Sequence, residues 1–323
     1  MAEARRGLLG LSAAYATWVY LTDGARYRTA DWGSKGLLRA VYLMSRAYLR
    51  VLGITFEEKF EADYDDGHRY LVAATPHGAF AASGVWFAAP HMRLAPEGRP
   101  PELYGVSASV LFYVPVLREL ILLMRARDVS GANFDALLRA RKSVMMVPGG
   151  MHEQVHPRTV CARHVPATSP PRDHGARRPC AHPDRSGTPR SQVCTDHRGE
   201  AHYLPRKLGF IRLAMRHGTP IVPLYCFGEN QLYATWKWLR GARLALAHAA
   251  RVGIPFFTDR FGLPTIAFPR PTKLTHVYGR PVPVGAPNPD PTAEQVERVA
   301  DAYVAEVRAS RRIQCPSLVH YCH

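Results

Sequence analysis

Cysteine is scarce in this chain. Six are scattered over 323 residues, which argues against a secreted domain stapled by disulfides. Negative charge is scarce too. Asp and Glu number 26 against 42 Lys and Arg, so the net charge is +16. Such an imbalance implies an anionic partner: nucleic acid, lipid headgroups or the phosphates of a small co-substrate. No helix-turn-helix, zinc-finger or RNA-recognition signature accompanies the charge, so no nucleic-acid partner is expected. The apolar run at residues 7–21 is also short. As a helix it reaches about 22 Å, less than a hydrocarbon core of about 30 Å. What is plentiful is core material: 47% of the residues are hydrophobic, enough for one large domain or two.

The most informative stretch is residues 206–230, RKLGFIRLAMRHGTPIVPLYCFGEN. Arg206 and Lys207 head a segment in which Phe210, Ile211, Leu213 and Ala214 recur at helical spacing. His217-Gly218 stops that helix, and residues 221–227 read as a short buried strand entered through Pro220 and Pro223. The strand delivers Gly228, Glu229 and Asn230 to its carboxyl end, where open α/β sheets place ligands.

This block resembles the diacylglycerol acyltransferase type 2 family, which includes monoacylglycerol and wax-alcohol acyltransferases. Thr75-Pro76-His77-Gly78 stands at the family's HPHG, Pro115-Val116-Leu117-Arg118-Glu119 at its PVLRE, and Val147-Pro148-Gly149-Gly150-Met151-His152-Glu153 at its VxGGxxE. Gly262-Leu263-Pro264 and the VYGRPVPV run at 277–284 match its late segments, in the same order. The resemblance implies an α/β fold: a mostly parallel sheet with strands near Leu71, Val144, Ile221 and Val277, flanked by helices. It implies transfer of a fatty acyl group from acyl-CoA to the hydroxyl of an acylglycerol, diacylglycerol to triacylglycerol being the first choice. Monoacylglycerol or a fatty alcohol is the alternative acceptor, and an inactive membrane-binding homologue the rival reading. Acyl-CoA is a co-substrate, and no cofactor or metal is expected. The expected location is the endoplasmic reticulum membrane or a lipid droplet, and self-association into a homo-oligomer is left open.

His77 sits on a strand-to-helix turn, and its imidazole can take a proton from a hydroxyl near neutral pH. The resemblance makes it the catalytic histidine, although Thr75 replaces the first histidine of the motif. The position of the aspartate in related acyltransferases is Ala82 here, so a carboxylate that orients His77 comes from elsewhere: Glu153 and Glu229 are the candidates. Backbone N–H groups near Gly78 or Gly149-Gly150 are candidates to stabilise the oxyanion. Arg127, Arg206 and Lys207 are candidate CoA-phosphate ligands, and Glu229 and Asn230 complete the substrate-binding set. Each has a plainer reading: a capping carboxylate, an ordinary turn or a solvated helix face.

Residues 1–53 read as a membrane-associated segment. Arg5 and Arg6 precede the apolar run, which carries Tyr15, Trp18 and Tyr20 near its end. In a helix over 35–52, Lys35, Arg39, Arg46 and Arg50 share one arc, while Leu37, Leu38, Val41, Met44, Tyr48, Leu49 and Leu52 fill the other side; Leu43 is the exception. That is a cationic amphipathic helix suited to anionic lipid. Residues 54–66 are charged and read as a boundary, and 54–310 as the acyltransferase domain. Within it, 154–203 is rich in Arg, His, Pro and Ser without periodicity. This stretch is expected to be a disordered insert, of the kind a retained intron or shifted frame produces; sequencing the transcript across it tests that. Its Cys161/His164, Cys180/His182 and Cys194/His197 pairs do not form zinc-ligand couples. Thr292 and Gln295 form a capping box for a helix to about residue 308, and 311–323 is an atypical tail.

Overall fold

The computed structural model describes residues 10, 13–15, 17–18, 34–65, 68–76, 78, 103–113, 117–148, 160–161, 165–166, 199–200, 203–204, 208–235 and 257–314. The chain divides into two compact units. The first comprises residues 1–45, 64–71 and 84–146, and the second 46–63, 72–83 and 147–323. The fold is mixed α/β with a mostly parallel sheet.

Helix α1 (Lys35–Val51) is followed by strands β1 (Thr55–Phe60), β2 (Leu71–Thr75) and β3 (Leu103–Ser107), helix α2 (Leu117–Leu123), strand β4 (Ala126–Asp128), helix α3 (Gly131–Arg139) and strand β5 (Ser143–Met146). In the first unit β3 pairs parallel with both β4 and β5. Val144 N–H donates to Tyr70 O at 2.9 Å, which brings the start of β2 beside β5. One core cluster gathers Leu38, Phe112, Ile121, Leu122, Leu123, Met124 and Ala126. Helix α3 begins at Ser130, whose hydroxyl accepts from Asn133 N–H and so satisfies one donor of the first turn. Tyr15 donates to the Glu119 carboxylate, and Trp18 lies 4.9 Å from the Arg118 guanidinium. Two aromatic side chains of the N-terminal run therefore rest on the charged start of α2.

The second unit continues with α4 (Gly209–His217), β6 (Ile221–Phe227), β7 (Lys273–Tyr278) and α5 (Ala293–Gln314). Its strand order is β1-β7-β6-β2. β1 and β7 are parallel, β6 and β7 antiparallel. All seven residues of β6 are buried. Pro223 lacks an N–H, and the ladder with β7 accordingly runs from Leu224, paired with Tyr278; the Pro223 carbonyl still accepts from Gly279 N–H at 2.8 Å. Helix α4 buries Phe210, Ile211, Ala214 and Met215 and ends at Gly218 in the left-handed conformation. Met215 thus joins the buried face, whereas Leu213 is only half-buried. The capping box at the head of α5 is present in both directions: Gln295 N–H donates to Thr292 Oγ1 at 3.2 Å, and Thr292 N–H to Gln295 Oε1 at 2.9 Å. The helix runs on to Gln314 and packs on β6 and α4 through Val296, Ala300, Tyr303 and Val307.

Several sequence expectations need correction. The charged segment read as a boundary holds β1, an edge strand. Phe56 packs edge-on against His276 and Phe60 stacks on Tyr278, while Glu57 pairs with Lys273 at 2.8 Å. An edge strand tolerates such charges because one of its sides faces no neighbour. Strands β3 and β4 were not anticipated. At the expected insert, Val160–Cys161 pairs antiparallel with Tyr203–Leu204, and Val165–Pro166 with Gly199–Glu200; the rest of 154–203 lies outside the described residues. The expected helices at 79–89 and 242–253 and most of the apolar run at 7–21 lie outside the described residues. Among the described residues no helix is long and apolar enough to cross a membrane. The apolar side of α1 is divided: Leu38, Leu49 and Leu52 are buried, whereas Leu37 and Met44 are exposed together with Leu43 and Val51.

Glu61, just after β1, yields a pH prediction. Burial holds its carboxyl above the ordinary carboxylate range; Glu306 adds to the shift, and the Ser310 hydroxyl and Arg280 oppose it. A raised folded-state pKa favours the protonated form. Its stabilising contribution is therefore present below the ordinary value of 4.5 and lost as pH rises through the folded value. Glu61→Gln is expected to melt higher than the unsubstituted protein at about pH 7, with the difference vanishing at about pH 4. Thermal melts at the two pH values check this.

Candidate active site

Strand β2, LVAAT, is apolar and buried along its whole length. It leads into Thr75 and Pro76, both buried, across a cis peptide bond. Gly78 follows after His77, which itself lies outside the described residues. Gly78 is buried at φ +64°, a backbone conformation that L side chains rarely adopt. A Cβ built on it would stand 3.0 Å from Glu229 Cγ and 3.1 Å from Glu229 O. Only a residue without a side chain leaves room for Glu229 at that distance.

Glu229 comes from the other motif. β6 ends in Gly228 at φ +86°, and a 3₁₀ turn, Glu229–Gln231, follows. At Gly228 a Cβ would stand 2.4 Å from Lys273 O, so the strand can turn beside β7 only with glycine there. Glu229 and Asn230 are each 1% exposed. The fold therefore brings two sequence-selected residues together: Gly78 and Glu229 are in contact, with Asn230 next in the same turn. A buried carboxylate against the residue that follows His77 is chemically able to orient an imidazole or to accept a hydrogen bond from a hydroxyl.

Arg127 belongs to the first unit. It is fully buried on β4, and its Nη1 donates to Ala126 O at 2.8 Å and Leu122 O at 3.3 Å. It lines a cavity of about 260 Å³ with Tyr104, Asn133, Ala136, Leu137, Ala140 and Lys142. The Arg127 guanidinium and the Lys142 ammonium each stand 5.5 Å from the Tyr104 ring centroid, and that of Arg125 stands at 5.9 Å. Cations crowded round one ring, in a cavity whose lining contains no carboxylate, suit an anion. Sequence reading found Arg127 but not Lys142 or Tyr104. Tyr104 sits on the unanticipated strand β3, and a lone lysine before a strand carries no local signal.

The remaining candidates, His77, Gly149, Gly150, Glu153, Arg206 and Lys207, lie outside the described residues. So do the cysteine–histidine pairs of the zinc reading, apart from the backbone at Cys161.

The family model for diacylglycerol acyltransferase matches residues 8–163 and 191–309, which is most of the chain. The chain belongs to the diacylglycerol acyltransferase family. Human 2-acylglycerol O-acyltransferase 3 is 26% identical over 320 residues, covering 91% of this chain and 76% of its own length. Human acyl-CoA wax alcohol acyltransferase 2 is 24% identical, covering 76% of this chain and 66% of itself. Diacylglycerol O-acyltransferase 2B of Umbelopsis ramanniana is 25% identical, covering 77% and 64%. This chain thus spans between about two thirds and three quarters of these relatives. Family membership makes it an O-acyltransferase, and the acceptor named differs from one relative to the next. Among solved structures, the 1-acyl-sn-glycerophosphate acyltransferase PlsC of Thermotoga maritima aligns over 98% of this chain at 11% identity, with a TM-score of 0.46, a likeness too loose to carry an argument about this chain.

Proposed function

We propose that this acyltransferase moves a fatty acyl group from acyl-CoA to diacylglycerol, with His77 as general base. The observation that carries the site assignment is the contact between Gly78 and Glu229. It supports Glu229 as the carboxylate beside the histidine motif, whereas the sequence reading pairs Glu153 with His77 as catalytic and puts Glu229 in the substrate-binding set. In this reading Glu229 positions the imidazole. His77 removes the proton of the acceptor hydroxyl as its oxygen attacks the thioester carbon. Backbone N–H groups near Gly78 or Gly149-Gly150 receive the oxyanion. The C–S bond then breaks, the CoA thiolate takes the proton from His77, and the ester is released. Arg127 with Lys142, and Arg206 with Lys207, are proposed phosphate ligands for CoA, supported by the cation-lined cavity in the one case and the helix-leading position in the other.

Lipid substrates of this kind support a location at a membrane, the endoplasmic reticulum or a lipid droplet. Helix α1 supports this: Arg39, Arg46 and Arg50 are exposed along one row, and Leu37, Met44 and Val51, seven residues apart, along another. Expression in a yeast strain lacking neutral-lipid acyltransferases tests the acceptor. Triacylglycerol should reappear in lipid extracts resolved by class. Wax esters alone, or diacylglycerol formed from monoacylglycerol alone, would reassign the acceptor, and no neutral lipid at all would favour an inactive homologue.

A further inference from the structure

The segment after the short strand Phe257–Thr258 is ordered from within and braced from outside. Asp259 is fully buried, and its Oδ1 accepts from Phe261 N–H at 2.8 Å and Leu263 N–H at 3.0 Å. Asp259 N–H donates to Leu263 O at 2.9 Å, and Arg260 N–H to Phe268 O at 2.9 Å. The turn is tied to the end of α1, where Tyr48 donates to Ala267 O and a Cβ on Gly53 would stand 3.4 Å from Pro271 Cβ. It is tied also to the turn that carries Glu229: Tyr233 Oη donates to Ile266 O at 2.9 Å and Arg270 N–H to Leu232 O at 2.8 Å.

What this bracing presents to solvent is apolar. Phe261 is 65% exposed and Leu263 51%, and Val51 on the adjoining helix end is 84% exposed. Phe261 meets Phe268 edge-on, with ring centroids 5.3 Å apart, yet most of its surface and about half of Leu263 stay in water. The cations beside them set the partner. Arg260 is exposed and packs its guanidinium 5.3 Å from the Phe261 ring centroid, and Arg50 is exposed on the last turn of α1. Single apolar side chains at a turn tip, rimmed by arginine, suit insertion below a layer of anionic headgroups. They are too few and too separate for the roughly 800 Å² per partner of a standard protein interface.

We propose that the turn at residues 259–268 is a membrane-docking wedge, with Phe261 and Leu263 entering the headgroup–acyl boundary of an anionic bilayer and Arg260 engaging its phosphates. This rests on the membrane reading above and deepens it. Because the turn is braced against the segment following Glu229, docking holds that part of the site at a fixed depth relative to the lipid surface.

Phe261→Trp in the full-length protein provides the probe. The emission it adds over the unsubstituted chain is expected to shift to the blue on vesicles of phosphatidylcholine with phosphatidylserine, and to be quenched by lipids brominated along the acyl chain. Both effects should be weaker on phosphatidylcholine alone. Added emission that neither shifts nor is quenched on either vesicle overturns the proposal. So does a change of oligomeric state in Phe261→Ser/Leu263→Ser without a change in vesicle binding, which would mark a protein contact. The fluorescence is read without turnover, so its failure is separate from a failure of the acyltransferase reading. If both hold, the double serine variant keeps its turnover on substrates in detergent micelles and loses about tenfold or more on vesicles.

Discussion

His77→Ala is expected to reduce acyl transfer by about 10²- to 10⁴-fold, the usual range for removing a positioned general base. The thermal midpoint of the protein should stay near its unsubstituted value, so that the lost rate reports chemistry and not unfolding. Initial rates with radiolabelled acyl-CoA at saturating acceptor check it. A variant that retains full turnover would remove the imidazole from the mechanism, whatever the family membership. Glu229→Gln discriminates further. If the carboxylate acts only through the imidazole, the amide lowers kcat with KM for acyl-CoA unchanged and shifts the acid limb of the pH–rate profile. Glu229→Asp should recover part of the rate. A purely structural Glu229 would lower stability in both variants and leave the shape of the profile unaltered.

The second large effect is on stability. Gly228→Ala meets two penalties. At φ +86° the backbone is in the left-handed region, which costs an L residue roughly 1–2 kcal/mol. The new methyl would also stand 2.4 Å from Lys273 O, a backbone atom of the neighbouring strand that cannot swing aside; overpacking of this kind costs about 1–3 kcal/mol. Together these come to about 2–5 kcal/mol, a fall in melting temperature on the order of 10 °C for a domain of this size. Gly285→Ala separates the two penalties. Its φ is +83° but nothing stands within 4 Å of the added carbon, so it should cost only the backbone part, about 1–2 kcal/mol. Equal losses in the two variants would show that the approach of Gly228 to β7 is not a tight one.

Much of the second unit could be read in advance. Strand β6 coincides with its sequence expectation because seven apolar residues between turn signals have few alternatives. α4 stops at Gly218 and α5 starts at Thr292 for local reasons: one needs a left-handed residue, the other a hydroxyl and an amide three positions apart. The family motifs were legible for the same kind of reason, since each is a short window with a fixed order. β1 escaped notice because Glu57, Glu58 and Lys59 obscure the two phenylalanines that hold it, and only the partners Tyr278 and His276 give those rings a surface.

The sequence by itself determined the buried strand and helix of the 206–230 block, their caps, the family and with it the class of reaction. These depend on periodicity and on hydrogen bonds that close within a few residues. Only the tertiary structure decided that Glu229 lies against Gly78, that Arg127 and Lys142 line one cavity, that the apolar side of α1 is partly buried and partly bare, and that the turn after Asp259 shows its phenylalanine to solvent. Each of these depends on a partner far away along the chain. Burial and contact are set by which elements pack together, and no local window of sequence carries that information.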